Sequence, residues 1–210
     1  MLTTRHFGHR YLPAQKIGGR ERVLIVLHGL GDSWRGFSFL PEALGIDEFS
    51  YLLVNAPDSY YGGFSWYDFG GDPVPGIIRS RELIFQLLHE LKEQGVASSD
   101  IFLFGFSQGC LMAVDVGLRF PEILGGICAV SGHVAFMEEY PEDFSPVAKQ
   151  QYFLITHGHN DPMVPFEPAA QQFQRLHKMG IDLEFKAYDK VHTLLPNELN
   201  DIAAWFRGQM

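Results

Sequence analysis

The chain has 210 residues, of which 46% are hydrophobic and 18 are Phe, enough for one large core but few for two domains of ordinary size. We therefore predict a single domain over residues 1–210. The formal net charge is −9, from 25 acidic and 16 basic residues, which argues against a partner such as nucleic acid that is bound through Lys and Arg.

Targeting signals are not evident in the sequence. The longest apolar runs have about the length of a buried strand, so no membrane span is predicted. The segment MLTTRHFGHR (1–10) lacks the apolar core of a secretion signal, and Lys and Arg form no cluster suited to a membrane surface. Two cysteines, Cys110 and Cys128, are too few for a disulfide framework. We expect buried free thiols and a cytoplasmic protein.

Apolar runs and helical patterns alternate along the chain. For residues 1–20 we expect a short extra hairpin at the edge of a sheet. Five later runs are apolar throughout, apart from the arginine that opens the first, which is typical of strands covered on both faces. In chain order they are RVLIVL (22–27), YLLV (51–54), IFLF (101–104), GICAV (126–130) and YFLI (152–155). A sixth run, LEFKAY (183–188), alternates and predicts a strand near the sheet edge.

Helical stripes lie between these strands. Apolar residues at helical spacing predict helices over 77–91, 111–118, 166–176 and 195–206. The repeated alternation of strand and helix predicts an α/β fold with a mostly parallel, doubly wound sheet.

The segment GFSQG (105–109) separates the strand IFLF from the helix that follows it. A sharp turn between the two elements leaves little room for side chains at Gly105 and Gly109. It exposes the hydroxyl of Ser107 above the carboxyl ends of the strands, next to the positive end of a helix. An ordinary glycine-rich turn is the alternative, and the position between strand and helix favours a serine nucleophile.

A serine nucleophile needs a general base and a carboxylate that orients the base. In this architecture both come from the ends of later strands, in the order Ser, Asp, His. Asp161 follows the strand YFLI, and His192 follows the strand LEFKAY. We therefore predict a catalytic triad of Ser107, His192 and Asp161.

Other residues compete for these roles. Asp189 also follows a strand, but it lies only three residues before His192, so one loop would have to position both groups. His133 follows the strand GICAV and could line the site, although it falls outside the expected order. Both are less favoured than Asp161 and His192.

The run HGHND (157–161) resembles a metal-binding pattern. Its next residue is Pro162 where a further histidine ligand would be needed, and the cysteines do not complete a tetrahedral set. We expect His157 and His159 to be structural, with no metal.

A tetrahedral intermediate needs two donors for its oxyanion. We expect the backbone N–H of Gln108, directly after the nucleophile, and that of Leu30 in the loop HGLGDS (28–33) after the first long strand. A simple strand–helix turn capped by Asp32 or Ser33 is compatible with the same role.

Several motifs in order resemble one known family, the phospholipase/carboxylesterase family of α/β-hydrolases, which includes the acyl-protein thioesterases. The resemblance runs from about residue 20 to the C-terminus. The motifs are HGLGDS, NAPDSYYGGFSWYDF (55–69), GFSQG, VSG (130–132) and HGHNDPMVP (157–165).

The resemblance implies an α/β-hydrolase fold and a cofactor-free serine hydrolase of carboxylic esters or thioesters. It implies the same roles for Ser107, Asp161, His192, Leu30 and Gln108. The chain departs from the family pattern at Cys110, where a glycine is usual, and at Val191 and Thr193 on either side of His192.

The interval 131–150 is too short for a multi-helix lid, so we predict no large lid domain and a shallow, open site. The long aromatic connection 55–76 is expected to wall an acyl groove. The residues expected to contact substrate are Trp66, Tyr67, Phe69 and Val164.

Three functional hypotheses remain open from the sequence. The favoured one is a carboxylesterase or thioesterase acting on a small acyl substrate, a lipid or an acylated protein, as a monomer or a homodimer. A serine peptidase or amidase on the same fold is the second, and a non-catalytic ligand-binding homologue is the third.

Overall fold

The computed structural model describes residues 2–16, 19–136 and 143–210. The strands formed by these residues are β1 His9–Leu12, β2 Arg22–Leu27, β3 Phe49–Val54, β4 Asp58–Tyr60, β5 Gly63–Ser65, β6 Ile101–Phe106, β7 Gly126–Val130, β8 Phe153–Gly158 and β9 Leu183–Tyr188. The helices are α1 Leu40–Leu44, α2 Val74–Glu93, α3 Gln108–Arg119, α4 Phe166–Lys178 and α5 Pro196–Gly208.

Seven strands form the central sheet, in the order β1-β3-β2-β6-β7-β8-β9. Strand β1 is antiparallel to β3, and the remaining pairs are parallel. The prediction of a mostly parallel sheet with LEFKAY at its edge is therefore confirmed. Because parallel strands end at the same side of a sheet, the loops that follow β2, β6, β8 and β9 meet there.

Helices cover both faces of this sheet, as the continuously apolar strands predict. Buried residues of α2, α3 and α4 pack on one face, and those of α1 and α5 pack on the other. The alternate side chains of β2 divide between the two cores: Val23, Ile25 and Leu27 belong to the first, whereas Leu24 and Val26 belong to the second. The doubly wound arrangement is confirmed.

The expectation of an extra hairpin in residues 1–20 is wrong. Among the described residues of this segment only β1 is a strand, and it pairs with β3, with His9 opposite Val54. The segment before β1 is held by α2, because the buried carboxylate of Glu90 accepts hydrogen bonds from the Thr4 hydroxyl and the Arg5 side chain. Strand β1 therefore pairs with the distant strand β3 instead of with a second strand of a local hairpin.

The long aromatic connection contains the short hairpin β4–β5, which the sequence patterns did not reveal. Phe64 of this hairpin forms an isolated antiparallel bridge with Asp32 in the loop after β2. The hairpin is therefore attached to the loop predicted to supply an oxyanion donor.

The described residues form no lid domain over the carboxyl edge of the sheet. In the interval 131–150, residues 137–142 lie outside the described residues, and the rest contains only a single 3-10 turn, Ala148–Gln150. None of the helices in the described ranges combines the length and the apolar character needed to cross a bilayer.

Candidate active site

Ser107 occupies the turn between β6 and α3 with a strained backbone, at φ 56° and ψ −115°. The turn is tight on both sides. A side chain at Gly105 would lie 2.1 Å from the carbonyl oxygen of Gly109, and one at Gly109 would lie 2.0 Å from that of Leu27. Both glycines are therefore required by close backbone approach, as predicted from the sequence.

Hydrogen bonds join the three residues of the predicted triad. The Nε2 atom of His192 lies 2.9 Å from the Oγ atom of Ser107. The Nδ1 atom of the same ring lies 2.7 Å from Oδ2 of Asp161. The imidazole thus has a hydroxyl on one side and a carboxylate on the other, the geometry that a general base requires.

Asp161 is buried and held by its own loop. Its Oδ1 atom accepts hydrogen bonds from the backbone N–H groups of Met163 and Val164, both at 2.9 Å. Burial raises the pKa of Asp161, but the N–H of Val164, the bond to His192 and the N–H of Met163 together hold that pKa below its ordinary value. Asp161 is therefore a carboxylate at neutral pH.

The competing residues lie elsewhere in the two loops. Asp189 accepts a hydrogen bond from the amide of Asn160 at the surface. His157 is buried, and its Nε2–H donates to the carbonyl oxygen of Val164 at 2.9 Å. The ring of His159 packs on Phe166 with ring centroids 4.4 Å apart. The two histidines of HGHND thus brace the loop around Asp161, and no group of three or more metal-ligating side chains occurs within the described ranges.

A buried ion pair supports the loop that carries His192, and sequence reasoning missed it. The Nζ atom of Lys190 donates to Oε1 of Glu198 at 2.6 Å and to the carbonyl oxygen of Thr193 at 2.8 Å. The other carboxylate oxygen of Glu198 accepts from the N–H of Leu195 at 3.1 Å. The hydrogen bonds of this ion pair thus link Lys190, before His192, to Thr193 and Leu195, after it. The only sequence signal was a glutamate at the third position of α5, where a carboxylate commonly caps the preceding turn.

The two predicted oxyanion donors lie in segments next to the nucleophile. Leu30 and Gln108 line the same cavity as Ser107. Within the described parts of the chain, neither backbone N–H has a protein acceptor. A side chain at Gly29 would lie 3.2 Å from the Cβ atom of Ser107, so the loop after β2 passes directly beside the nucleophile. Both N–H groups are therefore available to an oxygen bound next to Ser107.

The side chain of Gln108 has a separate task. Its Oε1 atom accepts the backbone N–H of Trp66 at 3.0 Å, and its Nε2 atom donates to the carbonyl oxygen of Tyr67 at 3.1 Å. The amide thereby attaches the end of the aromatic connection to the start of α3.

A cavity of about 1000 Å³ opens above Ser107 and His192. Tyr67, Phe69 and Val164, three of the residues predicted to contact substrate, line it. His133 also lines the cavity, where burial lowers the pKa of its imidazole, so that this ring is neutral.

Trp66 does not line the cavity, contrary to the expectation that it contacts substrate. Its side chain is 0% exposed and packs against Phe7 and His28. Its Nε1–H donates to the carbonyl oxygen of His28 at 2.9 Å. In FSWYDF the aromatic residues point to different sides, and the sequence does not tell which ring faces the core.

The two cysteines are free and buried. Burial raises the pKa of the Cys110 thiol, which packs beside Gly132 one turn into α3. Cys110 is therefore an inert core residue, as its sequence position indicated.

Comparisons with known proteins identify similar chains. The family model described as phospholipase/carboxylesterase matches residues 14–208. Acyl-protein thioesterase 1 of Schizosaccharomyces pombe is 32% identical over 156 residues, which cover 68% of this chain and 70% of that protein. A protein of Oryza sativa subsp. japonica described as a probable inactive carboxylesterase is 28% identical over 212 residues, covering 92% of this chain and 86% of that protein.

The solved structures give the same picture. The crystal structure of esterase PE8 matches with a TM-score of 0.86 and 27% identity, over 97% of this chain and 99% of that chain. The α/β-hydrolase fold predicted from the sequence is confirmed.

Proposed function

Because the chain belongs to the phospholipase/carboxylesterase family, we propose that it hydrolyses carboxylic esters or acyl thioesters with Ser107 as nucleophile, His192 as general base and Asp161 as the orienting carboxylate. The observation that carries the proposal is the unbroken series of hydrogen bonds from Ser107 through His192 to Asp161, in which Ser107 and His192 line one cavity. No cofactor takes part.

In the first half of the reaction the enzyme is acylated. His192 Nε2 accepts the hydroxyl proton while Ser107 Oγ bonds to the acyl carbon. The carbonyl oxygen becomes negative and is stabilised by the N–H groups of Leu30 and Gln108. The imidazolium is stabilised by the carboxylate of Asp161, then gives its proton to the leaving alcohol or thiol as the tetrahedral intermediate collapses.

In the second half water replaces the leaving group. His192 takes a proton from the water molecule, whose oxygen bonds to the acyl carbon and releases the acid from Ser107. The proton then returns to Ser107 Oγ. The same two N–H groups stabilise the second oxyanion, so a defect in them slows both halves.

The acyl chain is proposed to occupy the cavity above the triad. Phe69 and Val164 give it apolar walls, and Tyr67 adds a further aromatic wall. One relative is named acyl-protein thioesterase 1, so acylated peptides belong among the candidate substrates. Two buried free thiols are compatible with a reducing compartment, which supports the proposed cytoplasmic location.

A non-catalytic role is the second candidate, because one relative is described as a probable inactive carboxylesterase. A binding protein has no use for a complete series of donor, base and carboxylate. The retained geometry of Ser107, His192 and Asp161 favours catalysis.

A substrate panel tests the proposal. The wild-type protein and Ser107→Ala are assayed with p-nitrophenyl esters, acyl thioesters, an acylated peptide and peptide amides. We expect turnover of esters or thioesters, and a loss of about 10⁴–10⁶ in kcat for the folded alanine variant. Amide cleavage without ester cleavage would indicate a peptidase, and a tenth of the activity retained by Ser107→Ala would exclude Ser107 as nucleophile.

A further inference from the structure

Trp66 forms hydrogen bonds with both segments that carry the proposed oxyanion donors. Its Nε1–H donates to the carbonyl oxygen of His28, two residues before Leu30. Its backbone N–H donates to the side chain of Gln108, at 3.0 Å. Trp66 is therefore bonded to both halves of the oxyanion hole while it stays out of the cavity.

The imidazole of His28 extends this arrangement. The backbone N–H of Ala56 donates to Nε2 at 3.0 Å, so the proton of the neutral ring must be on Nδ1. That Nδ1–H donates to the carbonyl oxygen of Gly29 at 2.6 Å. Burial lowers the pKa of His28, which keeps the ring neutral, and the indole of Trp66 packs against it with centroids 5.7 Å apart.

The geometry of the peptide bond connects these contacts to the proposed donor. The carbonyl of Gly29 and the N–H of Leu30 belong to the same planar, trans peptide group and point in opposite directions. Once His28 fixes the carbonyl of Gly29, the direction of the Leu30 N–H is fixed as well. The bond from Trp66 to the preceding carbonyl prevents the neighbouring peptide group from turning.

The aromatic connection adds a second attachment in the same place. The N–H of Gly31 donates to the carbonyl of Phe64, and the N–H of Phe64 donates to that of Asp32, both at 2.9 Å. The hydroxyl of Ser80 in α2 donates to the carbonyl of Trp66 at 2.5 Å. Trp66 is therefore anchored to α2 through its backbone carbonyl and to the loop after β2 through its indole.

We propose that Trp66 is a positioning residue that holds the backbone N–H groups of Leu30 and Gln108 aimed at the substrate's carbonyl oxygen. The proposal rests on the hydrolase function proposed above. It predicts an effect on transition-state stabilisation, because the oxyanion forms only during the reaction. A wall residue would instead change the preference for acyl chains.

The test compares Trp66→Phe with Trp205→Phe. Phenylalanine keeps an aromatic ring but lacks the indole N–H. Trp205 is half-buried on α5, contacts Phe206 and does not line the cavity, so its replacement reports the general cost of removing an indole. Rates are expressed per active site, titrated to completion with a serine-directed phosphonate, so that misfolded protein does not count.

For Trp66→Phe we expect kcat to fall by about 10- to 100-fold, since small displacements of a catalytic group have effects of this size. KM should change less than about twofold, the pattern for an interaction made only in the transition state. The dependence on acyl length should be unchanged.

An alkyl boronic acid gives a second readout. The oxygen of Ser107 bonds to boron, the serine proton passes to His192, and a negatively charged tetrahedral adduct forms. The affinity of Trp66→Phe for this probe should fall by the same factor as kcat/KM, whereas Trp205→Phe should bind it like the wild type.

Two results would overturn the role of Trp66: equal kcat per site in the two tryptophan variants, or a loss that varies with acyl length while boronate affinity is unchanged. If Trp66→Phe fails to fold, Gln108→Met replaces it, because it removes the acceptor for the Trp66 N–H; an unchanged kcat in that variant contradicts the proposal equally. Wild-type protein that hydrolyses no ester or thioester would overturn the proposed function itself.

Discussion

Two groups of loops meet at Ser107, and different kinds of bond hold them. The oxyanion side, residues 28–31 and 64–67, is joined by neutral hydrogen bonds from backbone, indole, imidazole and amide groups. The base side, residues 157–164 and 189–198, contains the Asp161 carboxylate and the buried Lys190–Glu198 ion pair.

The difference follows from what each side does during the reaction. The oxyanion side must present dipoles to a charge that comes and goes, so neutral groups with fixed directions serve it best. The base side must bind a proton temporarily, and a carboxylate is needed to stabilise the imidazolium. Changes on the base side should therefore depend on pH, and changes on the oxyanion side should not.

The largest difference in kcat is expected between variants of two aspartates on the base side. Asn in place of Asp161 cannot stabilise the imidazolium and can hold the wrong tautomer, a loss that approaches about 10⁴ in kcat. Asp189→Asn makes the same chemical change at the surface, where the carboxylate accepts a hydrogen bond from Asn160. We expect near-normal turnover for it in steady-state assays, and the reverse result would move the acid to Asp189.

On the oxyanion side the matching change removes a donor. Leu30→Pro deletes one N–H, and a loss of roughly 10²–10³ in kcat is expected if the variant folds. Leu30→Ala keeps the N–H and is the control, with little effect. The residual activity of Leu30→Pro should follow the same pH profile as the wild type. A folded proline variant with normal turnover would place the donor elsewhere.

The ion pair of the base side offers a test of stability. Lys190→Met leaves the carboxylate of Glu198 buried without its cation, which should reduce the free energy of unfolding by about 3–5 kcal/mol. Lys186→Met removes the lysine of the surface pair with Glu184 and should change the free energy of unfolding by less than about 1 kcal/mol. Urea unfolding measures both. Equal effects would show that the buried pair does not support the loop of His192.

The cavity lies between the two sides, and its walls should set chain-length preference. Each buried methylene contributes roughly 0.8 kcal/mol, or about fourfold in kcat/KM, until the chain leaves the cavity. Phe69→Ala should flatten this increase, whereas Tyr152→Ala, an exposed aromatic outside the cavity, should not. The measurement is kcat/KM over a series of soluble p-nitrophenyl esters of increasing acyl length. Identical chain-length profiles for the two variants would exclude Phe69 from the cavity wall.

The smallest expected effect concerns acid stability. The native pKa of Asp161 lies below its ordinary value of 3.8, so the native state binds this proton less readily than the unfolded chain. The stabilisation is complete above the unfolded pKa and is lost as the pH falls through the native pKa. The difference in unfolding free energy between wild type and Asp161→Asn should therefore shrink in acid. If this difference in unfolding free energy grew in acid, the lowered pKa of Asp161 would be contradicted.

The features that could be predicted from the sequence are those that depend on a single strand or helix and the residues next to it. Six strands, the turn at Ser107 and the loops of Asp161 and His192 follow from apolar runs and from what comes directly after them. The parallel sheet then brings these loops together, whatever the details of packing.

Contacts between distant segments were not predictable in this way. Strand β1 pairs with β3, and Trp66 turns toward His28 in the core; neither choice is visible in a local pattern. The Lys190–Glu198 pair joins a loop to a helix, and a lysine and a glutamate eight positions apart give no periodic signal.

The most direct test of the central claim is the site of covalent modification. The protein is treated with a fluorophosphonate, digested and mapped by mass spectrometry, with Ser107→Ala and Asp161→Asn treated in parallel. We expect one adduct on Ser107 in the wild type, none in Ser107→Ala, and much slower labelling of the same serine in Asp161→Asn. Labelling of another residue, or ester hydrolysis by a protein whose Ser107 stays unmodified, would contradict the central claim.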